Sequence, residues 1–99
     1  RAGGAMMDRD TREAPLLEGV VTFEGTIGAL RAEKRIGGEG IACRLIPTPR
    51  ELSSTCALAL AFGHADRERV SEAIHAHDLR FEAVYFYPED GGEPVAWEP

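Results

Sequence analysis

Residues 19–46 read GVVTFEGTIGALRAEKRIGGEGIACRLI, and this stretch decides the fold. Gly19 to Glu24 is a β-branched and aromatic run closed by Gly25, which predicts a strand. Thr26 is suited to cap a helix over Ile27 to Ile36, where Ala29, Leu30, Ala32, Glu33 and Arg35 are all compatible with helix. Gly37, Gly38 and Gly40 are expected to stop it, and Ile41 to Ile46 then reads as a second strand. Strand, helix, strand in that order makes the two strands parallel across a right-handed crossover.

Further along, Ala57 to Phe62 (ALALAF) alternates large and small side chains and predicts a third strand. In Ala65 to His77 the residues Val70, Ala73, Ile74 and His77 share one face, giving a second amphipathic helix, and Phe81 to Tyr87 (FEAVYFY) is a fourth strand. The resulting fold class is α+β, a ferredoxin-like βαββαβ domain: an antiparallel/mixed four-stranded sheet of order 4-1-3-2 with two helices on one face. Residues 1–18, aperiodic and containing Pro15, are expected to be a mobile leader, residues 19–87 the domain, and residues 88–99 (PEDGGEPVAWEP) an acidic tail whose Trp97 folds back on the domain's own apolar surface.

Composition narrows the function classes. The 99 residues carry 11 Lys plus Arg against 17 Asp plus Glu, a net charge of −6, so neither nucleic acid nor an anionic membrane surface is an expected partner. No apolar run approaches the roughly 20 residues of a membrane-spanning helix, no apolar signal segment is read, and the expected location is cytoplasmic. Two cysteines, Cys43 and Cys56, are too few for a disulfide scaffold or a four-ligand zinc site. His75 and His77 are two apart on a helix and do not share a face, so no metal site is expected. Both are read at the Cys56 end of the sheet, and His64 is read as a turn residue at the opposite end. The glycines after the first helix follow a helix rather than a strand, which gives no phosphate loop.

The least ordinary segment is Ile46 to Cys56, IPTPRELSSTC, a long connection where a hairpin needs only about two to five residues. Pro47 and Pro49 stiffen its start and present Thr48 and Arg50 in a defined direction. Ser53, Ser54 and Thr55 set three hydroxyls immediately before the Cys56 thiol, where they can donate to a thiolate or cap a turn. The topology puts Cys56 beside Gly25 and Thr26, so the amides at the start of the first helix are expected to stabilise a thiolate, with Arg50 as a second source of positive charge. Cys43 alternates with Ile41 and Leu45 and is expected in the core. Pairing 43 opposite 60 and 47 opposite 56 separates the two thiols by about four strand residues, roughly 13 Å, beyond disulfide reach.

The run LRAEKRIGGEGIACRLIPTPRELSSTCALAL, residues 30–60, resembles the DUF3343 family of selenium or sulfur carrier-like proteins. Pro47, Pro49, Arg50, Ser53 and Cys56 at their spacing are the most specific part, with Ala32 to Lys34 as further support, and Ala57 stands where the family commonly has glycine. The resemblance implies a carrier with no turnover of its own, holding a persulfide or perselenide on Cys56 and passing it between donor and acceptor proteins without a metal or organic cofactor. Such a role calls for a thiol that a second protein can reach. The alternative expectation is a non-catalytic interaction or homodimerisation module that uses the aromatic fourth strand, with Cys56 structural. A thiol-dependent enzyme ranks third, because no base or acid constellation lies within reach of the thiol.

Overall fold

A computed structural model describes residues 18–52, 56–89 and 92–99. In chain order the elements are β1 (Gly19–Thr22), α1 (Thr26–Gly38), β2 (Cys43–Pro47), β3 (Leu58–Phe62), a 3-10 turn (His64–Asp66), α2 (Arg67–Ala76), β4 (Ala83–Phe86) and β5 (Val95–Trp97). The strands lie in the order β2-β3-β1-β4-β5, and every neighbouring pair is antiparallel. The described residues therefore form an α+β domain with two α-helices and a five-stranded antiparallel sheet.

The fifth strand corrects the expected count of four. Val95, Ala96 and Trp97 pair with Phe86, Tyr85 and Val84, and the Trp97 ring meets Phe86 edge-on with centroids 5.0 Å apart. Three apolar residues among prolines and acids give too short a pattern to read as a strand, but β4 pairs with their main chain and Phe86 packs against Trp97, while Val95 and Ala96 stay exposed. Glu18 also belongs to the domain rather than to a leader, since its carbonyl accepts from Tyr87 N–H at 2.9 Å and its Oε1 from His64 N–H at 2.7 Å.

Two further expectations shift. Gly25, in extended backbone, is the N-cap of α1, and Thr26 is the first helical residue instead of the cap. At the other end the helix runs through Gly37 and Gly38, and its termination falls to Gly40, whose φ of +82° suits glycine alone. In the β2–β3 hairpin, Cys43 pairs with Phe62 and Pro47 with Leu58, two residues away from the expected pairing. Thr48 fixes this register, because its N–H donates to the Ala57 carbonyl at 2.9 Å. A shift of two leaves every side chain on its expected face.

Both helices cover one face of the sheet. Ala29, Ala32 and Ile36 of α1 and Val70, Ala73 and Ile74 of α2 pack onto Val21, Phe23, Leu60, Phe62 and Val84. Complete burial of side chains such as Phe23 and Ile36 contributes about 2 kcal/mol each. Gly19 is required beside β3, since a Cβ there would lie 2.5 Å from the Phe62 ring. Among the described residues no helix covers the opposite face. Val20 and Ala59 are buried there beneath Leu52 of the β2–β3 loop, with Ile46, Tyr85 and Tyr87 around them.

Candidate functional site

The loop between β2 and β3 folds back across the helix-free face, and its local chemistry explains why. Pro47 ends the edge strand β2, where a missing N–H costs no ladder bond. Pro49 then opens a turn closed by Leu52 N–H donating to the Pro49 carbonyl at 3.0 Å. That turn drives Leu52 down onto Val20 and Ala59 until it is 5% exposed. Beside it the Tyr87 hydroxyl donates to Glu51 Oε2 at 2.8 Å. The Glu51 carboxyl is held below the ordinary carboxylate range, chiefly by this bond and further by a backbone bond, against a smaller opposing effect of burial. The Tyr87 phenol is pushed above the ordinary range, first by burial and then by the neighbouring Glu51.

Cys56 sits where the loop rejoins the sheet. Thr48 grips this point twice: its hydroxyl donates to the Cys56 carbonyl at 2.8 Å while its N–H binds Ala57. The Cys56 sulfur accepts from Leu58 N–H at 3.5 Å, a donor available to it as thiol or thiolate. The β1–β3 pairing ends at Thr22–Ala59, so the start of α1, four residues after Thr22, and Cys56, three residues before Ala59, lie towards the same end of the sheet. The thiol is only 6% exposed, which differs from the accessible, projecting position that transfer calls for.

The other expected site residues separate into three groups. Pro47, Pro49 and Cys56 come together in the loop stem, and Arg50 lies exposed at the turn with no ion pair or hydrogen bond among the described residues. Ser53, Ser54 and Thr55 lie outside the described residues. Ala57 takes no strained conformation, since Asp78 is the non-glycine residue with positive φ among those described.

Three contributors escaped the sequence reading, Glu51, Leu52 and Tyr87, and Thr48, expected only to be held in a defined direction, also pins the Cys56 carbonyl. Leu52 had a signal, being the one large apolar side chain between Pro47 and Cys56, and Thr48 had one in its position between two prolines. Glu51 and Tyr87 are 36 positions apart, and no local pattern joins them.

Cys43 is half-buried against the helix-side core, and burial, with Glu33 as a lesser cause, pushes its thiol up. It lines a cleft of about 330 Å³ with Glu18, Arg44 and Phe62, at the far end of β3 from Cys56. Its partner Phe62 is six residues beyond Cys56, so the thiols are separated by roughly 20 Å of strand, and both remain unbridged. His77 Nε2 lies 2.8 Å from Glu39 Oε2, just past the last residue of α1, so its ring is engaged with that carboxylate. His75 meets the Pro99 carbonyl, and His64 stacks edge-on against Phe86 with centroids 4.8 Å apart. No group of three or more metal-ligating side chains occurs among the described residues, and no described helix is long and apolar enough to cross a membrane.

A small α+β domain presenting one cysteine at the root of a proline-stiffened loop is the class this geometry defines. The chain belongs to the family described as "Putative Se/S carrier protein-like", whose model matches residues 18–86. No curated protein and no solved structure matches the chain.

Proposed function

We propose that this protein is a sulfur or selenium carrier that holds a persulfide or perselenide on Cys56 and hands it from a donor protein to an acceptor in a reducing, cytoplasmic setting. The observation that carries this reading is the family match over residues 18–86, within which the Pro47-x-Pro49-Arg50-x-x-Ser53-x-x-Cys56 loop supplies the nucleophile. The strand order supports a ferredoxin-like core of β1 to β4 with β5 added at its edge. In the loading step the Cys56 thiolate attacks the outer sulfur of a donor persulfide, the donor's S–S bond breaks, and the donor's inner sulfur leaves as a thiolate. One S–S bond forms as one breaks, so no oxidant, metal or cofactor enters the balance. The N–H of Leu58 is a donor to the Cys56 sulfur, and the amides at the start of α1, towards the same end of the sheet, favour negative charge there. Because Cys56 is 6% exposed, transfer on this reading proceeds from a conformation in which the loop has lifted.

The same burial favours a second reading, a non-catalytic interaction or dimerisation module in which Cys56 is a packing residue. Intact mass after incubation with a cysteine desulfurase and cysteine, and separately with a selenide donor, decides between them. Addition of one sulfur or selenium atom to wild type and Cys43→Ser, lost in Cys56→Ser, is the result expected of a carrier. Absence of loading from every donor, with Cys56 slow to alkylate, is the result expected of a module.

A further inference from the structure

The outer ridge of α1 is unusual for an acidic protein. The buried residues Ala29, Ala32 and Ile36 define the inward side of the helix, and the i, i+3, i+4, i+7 set Ile27, Leu30, Arg31 and Lys34 lies directly opposite. Ile27 is 80% exposed and Leu30 48%, two of the most exposed large apolar side chains described. They occupy the start of the helix, towards the end of the sheet at which β3 begins and Cys56 lies. Beyond them Arg31, Lys34 and the flanking Arg35 are exposed, and among the described residues no carboxylate pairs with any of the three. The nearest acids lie off the ridge: Glu24 precedes the helix, and Glu33 faces the Cys43 side.

We infer that this ridge is the docking surface for the protein that delivers sulfur to Cys56, a persulfide-bearing donor whose own contact surface is an apolar depression rimmed by aspartates and glutamates. The inference rests on the carrier reading and names the partner of that site. Charge selects the occupant. Two copies of the chain paired with their α1 helices parallel would set cation against cation, and an antiparallel pair would set Arg31 and Lys34 over Leu30 and Ile27, so neither arrangement supplies the ridge with a carboxylate. A net charge of −6 opposes an anionic lipid surface, and two projecting apolar side chains offer little to insert. Size agrees as well: two apolar residues with three cations make a small interface, of the kind that forms and releases in a hand-over, and the cations speed the encounter with an acidic partner.

The test loads the full chain with sulfur from a cysteine desulfurase plus cysteine and, in parallel, from inorganic polysulfide, which needs no protein dock. Ile27→Asp/Leu30→Asp and Arg31→Glu/Lys34→Glu alter only exposed side chains and leave the core as it is. Enzyme-driven loading is expected to fall roughly tenfold in both variants and to weaken with salt in wild type, while polysulfide loading stays unchanged. Equal enzyme-driven rates in wild type and variants overturn the docking surface and leave the carrier reading standing. So does loading of wild type from polysulfide but never from the enzyme. Ridge-dependent self-association in sedimentation, or ridge-dependent binding to phosphatidylserine vesicles, overturns it in favour of a second copy or of lipid. Failure of wild type to load from either source removes the carrier reading and this surface together.

Discussion

The phenol of Tyr87, just beyond β4, donates a 2.8 Å hydrogen bond to Glu51 and so ties the proline loop to the sheet 36 positions away. The bond needs an ionised Glu51 and a protonated Tyr87. Glu51 has its carboxyl lowered in the folded state, so its contribution is present above the unfolded value of about 4 and is lost as pH falls through the folded one. Tyr87 has its phenol raised, so its contribution is complete below the unfolded value of about 10 and is lost as pH climbs through the folded one. Tyr87→Phe is therefore expected to speed Cys56 alkylation severalfold at neutral pH. The stability difference between wild type and this variant, followed by urea unfolding, should shrink towards both ends of the pH range; a pH-independent difference would show that the bond contributes nothing.

Leu52 is the apolar half of the same attachment. Buried at 5% against Val20 and Ala59, it cannot be shortened without leaving a void under the loop. Leu52→Ala is expected to cost about 2 kcal/mol in denaturant unfolding and to raise Cys56 alkylation more than Tyr87→Phe does. A destabilised variant with unchanged thiol reactivity would separate loop docking from access to Cys56.

How far the sequence carries the reader differs by residue. The alternation of ALALAF and the i, i+3, i+4 spacing of Val70, Ala73 and Ile74 report burial directly, because each face of a strand or helix repeats with its own period. Trp97 was legible as a residue that folds home but not as part of a strand, since three residues carry no measurable period. Cys56 was legible through its loop, while its burial was not. The loop's attachment to the sheet depends on Leu52, Thr48 and Tyr87 finding partners far apart in sequence or across the hairpin, and only Leu52 and Thr48 left any local trace.

Cys43 offers a control thiol with a charge nearby. Its thiol is raised by burial first and by Glu33 second, so removing the Glu33 charge leaves the larger cause in place. In a Cys56→Ser background, Glu33→Gln is expected to move the Cys43 alkylation profile to lower pH. An unmoved profile would assign the whole effect to burial.

Gly19 and Phe62 face each other across the β1–β3 pair, and the absent side chain of one makes room for the ring of the other. A Cβ on Gly19 would stand 2.5 Å from the ring, and that ring is held by its edge-on contact with Phe86, centroids 5.7 Å apart. Gly19→Ala should therefore cost about 1–3 kcal/mol, the range for overpacking a filled core. Phe62→Leu removes the obstruction while costing packing of its own. In the double variant the two penalties should sum to more than the measured loss, with a coupling of about 1 kcal/mol in urea unfolding. Simple additivity would mean that the ring moves aside freely and that the glycine is required for another reason.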